Sequence, residues 1–312
     1  MRSASEPSDR QQPQNPENPQ RTEAGGLPPA VVALRMLFRL SGAVAPRWAA
    51  RFGTYLWFRP QRHRPPAREQ AVLARAQHAA LRHAGKRIAV YRWGEGPTVM
   101  LVHGWSGRAA QLGELVGPLT AAGYRVVAFD APAHGRSDGR DTTLPEISEV
   151  ILRLASDFSP VHAVIAHSFG VACVLFALQQ QGFAERMVAF SAPATLEGLV
   201  EKFSAGLALS PRTVQSMREM LVRRFGEDVW TRFSVQDMAR RAALPALVIH
   251  DRDDRDIPWR EGEAVANAWP RSRSTSRRTA SPSTASCPER SRPCAACRAR
   301  RRGRATAADS RR

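Results

Sequence analysis

The chain has 312 residues, of which 43% are hydrophobic, so it can bury one large core or two small ones. It contains no apolar run long enough to span a bilayer, and its Gln-, Pro- and Glu-rich first 26 residues lack the apolar centre of a secretory signal. Four cysteines, three of them near the C-terminus, argue against a disulfide framework, and we therefore expect a reducing, cytoplasmic location.

The formal net charge of +18 is concentrated at one end of the chain. Residues 271–312 hold thirteen arginines against Glu289 and Asp309, whereas the rest of the excess is spread over the preceding 270 residues. A nucleic-acid-binding domain would carry its basic residues clustered on the folded part. The charge distribution therefore predicts no specific nucleic-acid partner for the folded part of the chain.

A helical extension is predicted ahead of the main domain. After a disordered segment at 1–29, residues 30–85 are predicted to be helical, with a polar linker at 61–66 and an Ala-rich helix at 67–83. Two interpretations of the amphipathic part, 30–60, compete: packing against the domain, or a weak peripheral contact with anionic lipid. Its cationic face is sparser than that of most interfacial helices, which favours packing. The arginines among its apolar residues are Arg35, Arg39, Arg47 and Arg51.

Strands and helices alternate between residues 86 and 270. Each predicted strand is a nearly continuous apolar run, which is typical of a parallel sheet covered on both faces. We therefore expect an α/β fold with a mostly parallel central sheet, helices on both faces and a helical cap insertion at about 196–241. The strands are predicted at 86–93, 98–102, 125–129, 161–166, 187–190 and 245–250, and the helices of the sheet at 112–122, 144–157 and 261–269.

The most informative stretch runs from 161 to 177 and reads V-H-A-V-I-A-H-S-F-G-V-A-C-V-L-F-A. A short buried strand is followed by small residues at alternate positions, Ala166, Ser168 and Gly170, and then by an apolar helical pattern. This is the spacing of a nucleophile elbow with Ala in place of the first Gly, and its tight turn excludes large side chains. Such a turn lifts the Ser168 hydroxyl to the carboxyl end of the sheet, before a helix N-terminus that favours negative charge.

Other polar residues follow predicted strands at the same edge of the sheet. His103 and Asp130 each come directly after a strand, and a cluster of aspartates follows His250. Open parallel sheets place their chemistry at the carboxyl ends of their strands. The sequence therefore predicts a functional site along this edge, with Ser168 in it.

Four motifs occur in order along the chain. They are H-G-W from His103, D-A-P-A-H-G-R-S from Asp130, A-H-S-F-G from Ala166, and H-D-R-D-D-R-D-I-P from His250. In this order they resemble the α/β-hydrolase fold family, over about 86–270. The resemblance implies a serine hydrolase of the esterase type, which needs no metal or organic cofactor. Its substrates would be small-molecule carboxylic esters, thioesters or other acyl compounds, and the apolar residues of the cap favour an apolar group.

The resemblance also assigns roles to single residues. Ser168 would be the nucleophile, and the backbone amides of Trp105 and Phe169 would form the oxyanion hole. Asp254 would be the acid, with Asp253 as the runner-up, and the other aspartates of this cluster would belong to a solvated turn. Support for the elbow and its loops would come from Ala166, Gly170, Gly104, His103 and His134, the two histidines by hydrogen bonding.

A catalytic histidine is expected after the acid, and the sequence has none. All eight histidines precede Asp254, and His167, which adjoins Ser168, is expected to point its side chain out of the turn in another direction. Without a base, nothing takes the proton of the Ser168 hydroxyl, and loss of the histidine from a serine-protease triad costs on the order of 10⁶ in kcat. We therefore expect the chain to be impaired as a catalyst.

The C-terminal segment 271–312 contains no large aliphatic or aromatic side chain, so it predicts neither a strand nor a core helix. We consider three explanations: a basic tail that binds polyanions, a zinc half-site at Cys287, Cys294 and Cys297 that lacks a fourth ligand, and translation out of frame. A shifted frame from Ala280 can encode G-L-x-x-H-G, which resembles the histidine-bearing loop of these hydrolases. The rival to an enzyme is a catalytically inactive binding protein on the same fold, with the tail as its contact.

Overall fold

A computed structural model describes residues 28–277 and shows an eight-stranded sheet with helices on both faces. The strands are β1 (Gln77–His83), β2 (Lys86–Trp93), β3 (Thr98–Val102), β4 (Arg125–Phe129), β5 (Val161–His167), β6 (Met187–Phe190), β7 (Ala246–Asp251) and β8 (Ser272–Arg277). Their order in the sheet is β1-β2-β4-β3-β5-β6-β7-β8. The pairs β1–β2 and β2–β4 are antiparallel and the others are parallel, which confirms the predicted α/β fold.

Helices cover both faces of this sheet. A helical insertion between β6 and β7 confirms the predicted cap, and three helices precede the first strand. The helices are α1 (Pro29–Val44), α2 (Pro46–Trp57), α3 (Ala67–Ala74), a 3₁₀ helix (Ala109–Leu115), α4 (Val116–Ala121), α5 (Leu144–Asp157), α6 (Phe169–Gln180), the insertion helices α7 (Leu196–Leu207), α8 (Pro211–Phe225), α9 (Val229–Arg232) and α10 (Val235–Arg240), and α11 (Trp259–Ala268).

The hydrophobic core lies on both sides of the sheet. Successive residues of a central strand point to opposite faces, and both faces are covered by helices, so residues on both faces are buried. On one side, Met100 and Phe129 pack with residues of α5, α6, α10 and α11. On the other side, Tyr91 and Leu101 pack with α3, the 3₁₀ helix and α4. Full burial of one such large apolar side chain contributes about 2 kcal/mol, so these two layers fix the strands whose ends carry the site.

The prediction of a helix over 67–83 is wrong from Gln77 onward. The helix α3 ends at Ala74, and Gln77–His83 pairs with β2 as an antiparallel strand. The two strands are joined by Ala84 and Gly85, whose φ angles are 45° and 77°. A two-residue turn with both central φ angles positive matches the twist of a hairpin, so strand pairing overrides the helical propensity of the Ala-rich sequence.

The prediction of no strand after residue 271 is also wrong. Ser272–Arg277 forms β8, which pairs in parallel with β7 at the edge of the sheet, and most of its side chains are exposed. An edge strand is held mainly by backbone hydrogen bonds, so it needs no apolar residues. The sheet thus runs from Gln77 to Arg277, beyond the predicted core boundaries of 86 and 270. The predictions for 1–27 and 278–312, including the zinc half-site and the shifted frame, fall outside the described residues.

The two N-terminal helices pack on each other and on the cap, α2 against α8 and α1 against α7. Their buried residues are Phe38 and the small residues Gly42, Ala49, Ala50 and Gly53. Among the described residues, seven of the eight exposed large apolar side chains belong to this pair. We call this surface the hairpin face: Met36, Leu37, Leu40, Val44, Trp48, Phe52 and Tyr55.

None of the helices within 28–277 combines the length and the apolar character needed to cross a membrane.

Candidate active site

Ser168 occupies the sharp turn between β5 and α6. Its φ and ψ angles are 51° and −123°, a conformation that non-glycine residues rarely adopt and that costs on the order of 1–3 kcal/mol. Two backbone bonds hold the turn: the Ser168 amide donates to the Phe190 carbonyl at 2.8 Å, and the Val171 amide donates to the Ser168 carbonyl at 2.9 Å. The side chain is half-exposed, so the hydroxyl is accessible at the carboxyl edge of the sheet.

Small residues are required around this turn because backbone segments approach it closely. A Cβ on Gly170 would lie 2.6 Å from the carbonyl oxygen of His103, and a Cβ on Gly104 would lie 3.0 Å from Cβ of Ser168. Ala166 is completely buried in β5. The three predicted supporting positions therefore lie where a larger side chain would push the loop after β3 away from Ser168.

The residues proposed as oxyanion donors lie beside each other. The rings of Trp105 and Phe169 are 5.3 Å apart and nearly perpendicular. Phe169 is the first residue of α6, so its amide has no acceptor within the helix. No carbonyl within residues 28–277 accepts a hydrogen bond from the amide of Trp105 or of Phe169. Both N–H groups therefore lack a backbone acceptor among the described residues, and the dipole of α6 favours negative charge at its N-terminus.

His103 holds the loop that carries Trp105. Its Nε2 accepts a hydrogen bond from the Ala131 amide at 3.0 Å, so the proton is on Nδ1, which donates to the Gly104 carbonyl at 2.7 Å. Burial lowers the pKa of His103, although the Gly104 carbonyl and Asp130 oppose this change. The imidazole is therefore neutral, and both of its nitrogens are occupied.

His134 makes the corresponding pair of contacts on the neighbouring loop. Its Nε2 accepts from the Ser106 amide at 3.0 Å, and Nδ1 donates to the Pro132 carbonyl at 2.9 Å. Burial is the main reason that the pKa of His134 is lowered to about 3, and the nearby His103 lowers it further. Neither nitrogen of His134 is free to accept a proton from Ser168.

Asp130 is the centre of the hydrogen bonds that join these loops. One carboxylate oxygen accepts from the Ala109 amide at 2.8 Å, and the other accepts from the Arg136 amide at 2.8 Å and from the Tyr91 hydroxyl at 3.0 Å. Burial, followed by the charge of Asp130, raises the pKa of the Tyr91 hydroxyl, so Tyr91 remains a donor. The side chain of Asp130 is 3% exposed and fully engaged, so it shapes the edge rather than offering a reactive group.

Asp254 lies in the turn after β7, on the other side of Ser168. One of its oxygens accepts from the amides of Asp256 at 2.8 Å and Ile257 at 3.0 Å. Partial burial raises the pKa of Asp254, but the hydrogen bonds from Ile257, Ser191 and Asp256 and the nearby His250 together outweigh burial, and the pKa is lowered. Asp254 is therefore a half-buried carboxylate, whereas Asp253, the runner-up, is exposed.

His250 is buried beneath the acid. Its Nε2 lies 2.8 Å from the Ile257 carbonyl and 3.6 Å from the second oxygen of Asp254. Among the described residues, Nδ1 of His250 has no hydrogen-bond partner, and a Cβ on Gly262 would lie only 2.2 Å from it. The backbone of α11 at Gly262 thus covers this ring.

The sequence interpretation missed Ser191 near the acid, and it named His167 only as a side chain that leaves the turn in another direction. The hydroxyl of Ser191 donates to Asp254 from the turn after β6, at a φ of 48°. His167 is half-buried beside Gly104. Burial lowers the pKa of His167, whereas the charges of Asp254 and Asp256 raise it. The imidazole therefore lies within electrostatic range of the acid. The position of Ser191 directly after a strand was the available signal, because the carboxyl ends of parallel strands share one edge.

The base that the resemblance requires is absent from the sequence, since no histidine follows Asp254. Four of the other histidines are distant or differently engaged: His63 is exposed in the linker, His78 contacts the Leu73 carbonyl, His83 contacts Glu149, and His162 contacts Glu185. The edge therefore holds the Ser168 hydroxyl, two amides without a backbone acceptor among the described residues and the carboxylate of Asp254, with no histidine after Asp254 in the sequence.

Residues 99–302 match the model of the "Alpha/beta hydrolase family". The match covers more than half of the chain, and the chain belongs to the α/β hydrolase family.

Curated relatives resemble shorter stretches of the chain. A "Putative non-heme haloperoxidase" of Mycobacterium phage D29 is 34% identical over 89 residues, which are 28% of this chain and 32% of that protein. A pimeloyl-acyl-carrier-protein methyl ester esterase of Aeromonas hydrophila subsp. hydrophila is 26% identical over 175 residues, 54% of this chain and 61% of that protein. The chain thus spans less than two thirds of the length of each relative.

Among solved structures, a "putative lipase" from Acinetobacter baumannii AYE superposes with a TM-score of 0.52. The two chains share 16% sequence identity, over 69% of this chain and 89% of the other. At this identity the likeness shows the fold.

Proposed function

We propose that this chain is a serine hydrolase of carboxylic esters or related acyl compounds, in which Ser168 is the nucleophile. The observation that carries the proposal is the strained, half-exposed conformation of Ser168 between β5 and α6. Backbone strain of this kind persists only where the surrounding structure enforces it, and it is concentrated at active sites. The name of the Aeromonas hydrophila relative, a methyl ester esterase, supports an ester as the substrate class.

The reaction that this arrangement supports is acyl transfer to Ser168. Oγ of Ser168 adds to the acyl carbon, its proton passes to solvent water in the absence of a histidine, and the carbonyl oxygen becomes an oxyanion. The amides of Trp105 and Phe169 donate to this oxygen, and each such bond is worth about 3 kcal/mol because the charge develops only towards the transition state. The alcohol then departs, and water hydrolyses the acyl-enzyme.

Proton transfer is the weak step of this mechanism. Asp254 is placed to orient a histidine, but no histidine follows it in the sequence. His103 and His134 are buried, neutral and occupied on both nitrogens. We therefore propose that the chain stabilises the oxyanion but activates the nucleophile poorly, so that its turnover is impaired.

A fluorophosphonate probe tests the nucleophile. We expect slow covalent labelling of the full chain, with mass spectrometry placing the adduct on Ser168, and no labelling of Ser168→Ala. Ser204→Ala is a matched control, because Ser204 is buried in α7 and has no hydrogen-bond partner among the described residues, and this variant should label like the parent. An adduct elsewhere, or none, would overturn the assignment.

Ester turnover tests the impairment. The chain should be compared with a version whose segment from Ala280 is encoded in the shifted frame, which places a histidine after Asp254. We expect the shifted-frame version to hydrolyse a p-nitrophenyl ester faster by several orders of magnitude, up to on the order of 10⁶. Equal turnover would show that the missing histidine does not limit the reaction.

The missing histidine also favours a second candidate, a catalytically inactive binding protein that contacts polyanions through its basic tail. Its signature would be no labelling of Ser168 together with heparin binding that weakens steeply with salt. Replacement of the tail arginines by glutamine should abolish that binding. Labelling at Ser168 without heparin binding would exclude this candidate.

A further inference from the structure

The hairpin face is the largest group of exposed apolar side chains in the described part of the chain. Val44 is 87% exposed, and Leu40 and Trp48 are each 72% exposed. Single exposed apolar residues are normal on a monomer, but a contiguous group of large ones marks a surface that is covered in use. This surface plays no part in the site around Ser168.

The orientation of these helices is fixed by packing, so the exposure is a property of the fold. A Cβ on Gly42 would lie 3.1 Å from Oγ of Ser210 and 3.1 Å from Oγ1 of Thr213, and a Cβ on Gly53 would lie 3.6 Å from the side chain of Leu209. Gly42 and Gly53 therefore face the cap; Phe38 is buried and Trp57 packs against Phe203 of α7, whereas the seven large residues of the hairpin face are exposed. A surface helix usually turns its large apolar residues towards the core, so seven exposed ones in one helix pair are unusual.

The chain leaving α2 is anchored to the loops beside Ser168. The Gln61 amide donates to Oγ of Ser106 at 2.9 Å, and Arg62 donates to the carbonyls of Ala133 at 2.9 Å and Gly139 at 3.0 Å. The hairpin face is thus held on the hydrolase domain and is not a loosely tethered arm.

The charged residues of the two helices themselves have one sign. No Asp or Glu occurs between residues 28 and 60, and Arg39, Arg47 and Arg51 are exposed there. Within the described ranges, none of these arginines makes an ion pair with a carboxylate; Arg51 instead lies 5.6 Å from the ring centre of Trp48. The surface therefore combines apolar and aromatic residues with unpaired cations.

We propose that the hairpin face docks on the surface of an anionic lipid bilayer. The apolar residues Leu40, Val44 and Trp48 would insert at the level of the headgroups, and the exposed arginines would contact lipid phosphates. Amphipathic helices with aromatic and basic residues bind membranes in this way, through buried apolar area and attraction to anionic lipid.

Charge argues against a second copy of the chain as the occupant. A symmetric dimer through this face would bring the same arginines of both copies together, with no acidic residue from 28–60 to neutralise them. An anionic bilayer supplies both negative charge for the arginines and an apolar layer for the exposed side chains. A polyanion such as nucleic acid supplies the negative charge without the apolar layer.

Vesicle sedimentation of the full chain tests the proposal. Phosphatidylcholine vesicles with and without phosphatidylglycerol serve as probes, and we expect binding only to the anionic ones. The triple variant Leu40→Ser, Val44→Ser, Trp48→Ser should lower the partition coefficient at least about tenfold. The triple variant Arg39→Gln, Arg47→Gln, Arg51→Gln should lower it on the order of a hundredfold.

Matched controls separate this surface from other parts of the chain. Leu247→Ser changes the exposed apolar residue outside the hairpin face, Arg223→Gln changes an exposed arginine of α8, and Ser168→Ala removes the proposed nucleophile; all three should bind like the parent. Because every substituted hairpin residue is exposed, circular dichroism should be unchanged.

Three results would overturn the proposal. One is no binding to anionic vesicles. Another is binding that both triple variants retain but that is lost when the arginines of 278–312 are replaced by glutamine, because the tail would then be the contact. The third is a dimer in sedimentation velocity that Leu40→Ser, Val44→Ser, Trp48→Ser dissociates, because a second copy would then cover the face.

Discussion

The two sides of the edge around Ser168 are built differently. The oxyanion side, residues 103–108 and 130–137, consists of loops joined by buried hydrogen bonds to His103, Asp130 and His134. The acid side, residues 251–258 with β8, is mostly exposed, and β8 contributes no apolar side chain to a core.

This difference between the two sides indicates which step of the proposed reaction the fold supports. Preorganised N–H donors depend on rigid loops, and the oxyanion side supplies them through a saturated polar network. Proton transfer depends on a base held by the acid, and the acid side has the carboxylate of Asp254 without that base. In the mechanism that we propose, the chain therefore stabilises negative charge better than it generates it.

The largest expected effect comes from breaking the oxyanion side at Gly135. Its φ is 44°, and a Cβ there would lie 2.3 Å from the carboxylate of Asp130. We expect Gly135→Ala to lower the free energy of unfolding by about 3–4 kcal/mol, through backbone strain and displacement of the Asp130 hydrogen bonds. Urea denaturation measures this loss. Gly182→Ala is the control, because nothing lies within 4 Å of its Cβ position, and equal losses for the two variants would contradict the prediction.

Replacing an aspartate by asparagine on each side compares the stability of the two sides directly. In Asp130→Asn, the new amide faces an N–H or O–H donor in a buried site, and the free energy of unfolding should fall by about 2–3 kcal/mol. In Asp254→Asn, the remaining carbonyl oxygen still accepts from Asp256 and Ile257, and the loss should stay below about 1 kcal/mol. Chemical denaturation of both variants checks this order, and a larger loss for Asp254→Asn would reverse the comparison.

The pH dependence of stability should reflect the oxyanion side. The pKa of His134 is lowered to about 3 from an ordinary value of 6.5. Below pH 6.5 the unfolded chain therefore binds a proton that the folded chain excludes, and stability that is complete above pH 6.5 falls towards pH 3. The slope is about 1.4 kcal/mol per pH unit for this residue.

Denaturation between pH 6.5 and about 5 tests this slope. His134→Gln should give a shallower decline than the parent, whatever stability it loses at neutral pH. His63→Gln, in the exposed linker, should leave the slope unchanged. Parallel curves for the parent and His134→Gln would show that the burial of His134 does not control the acid sensitivity.

The smallest expected effect lies on the acid side. Ser191→Ala removes a hydroxyl that donates to Asp254, so the pKa of Asp254 should rise towards its ordinary value. Carboxyl carbon titration by NMR measures the shift, with Ser148→Ala as a control, because the hydroxyl of Ser148 donates only to the carbonyls of Leu144 and Cys173. An unchanged pKa in Ser191→Ala would mean that the backbone amides alone hold the acid ionised.

Much of the fold and part of the site could be predicted from local patterns. Apolar runs such as Thr98–Val102 are buried strands because an uninterrupted apolar run is stable only inside a two-sided sheet. The alternation of small residues around Ser168 predicted its turn, because only small side chains allow β5, α6 and the loop after β3 to approach so closely.

Only the tertiary structure decided which segments pair as strands, which partners the polar residues bind and which apolar residues are exposed. Gln77–His83 became a strand by hairpin pairing with β2, and Ser272–Arg277 became one by parallel pairing with β7; backbone pairing leaves no pattern in their own side chains. His103 and His134 became occupied supports because both nitrogens found backbone partners. The outward direction of the hairpin face was set by the small residues that pack on the cap. Local sequence encodes how much a segment is buried, whereas long-range packing selects the neighbour that it is buried against.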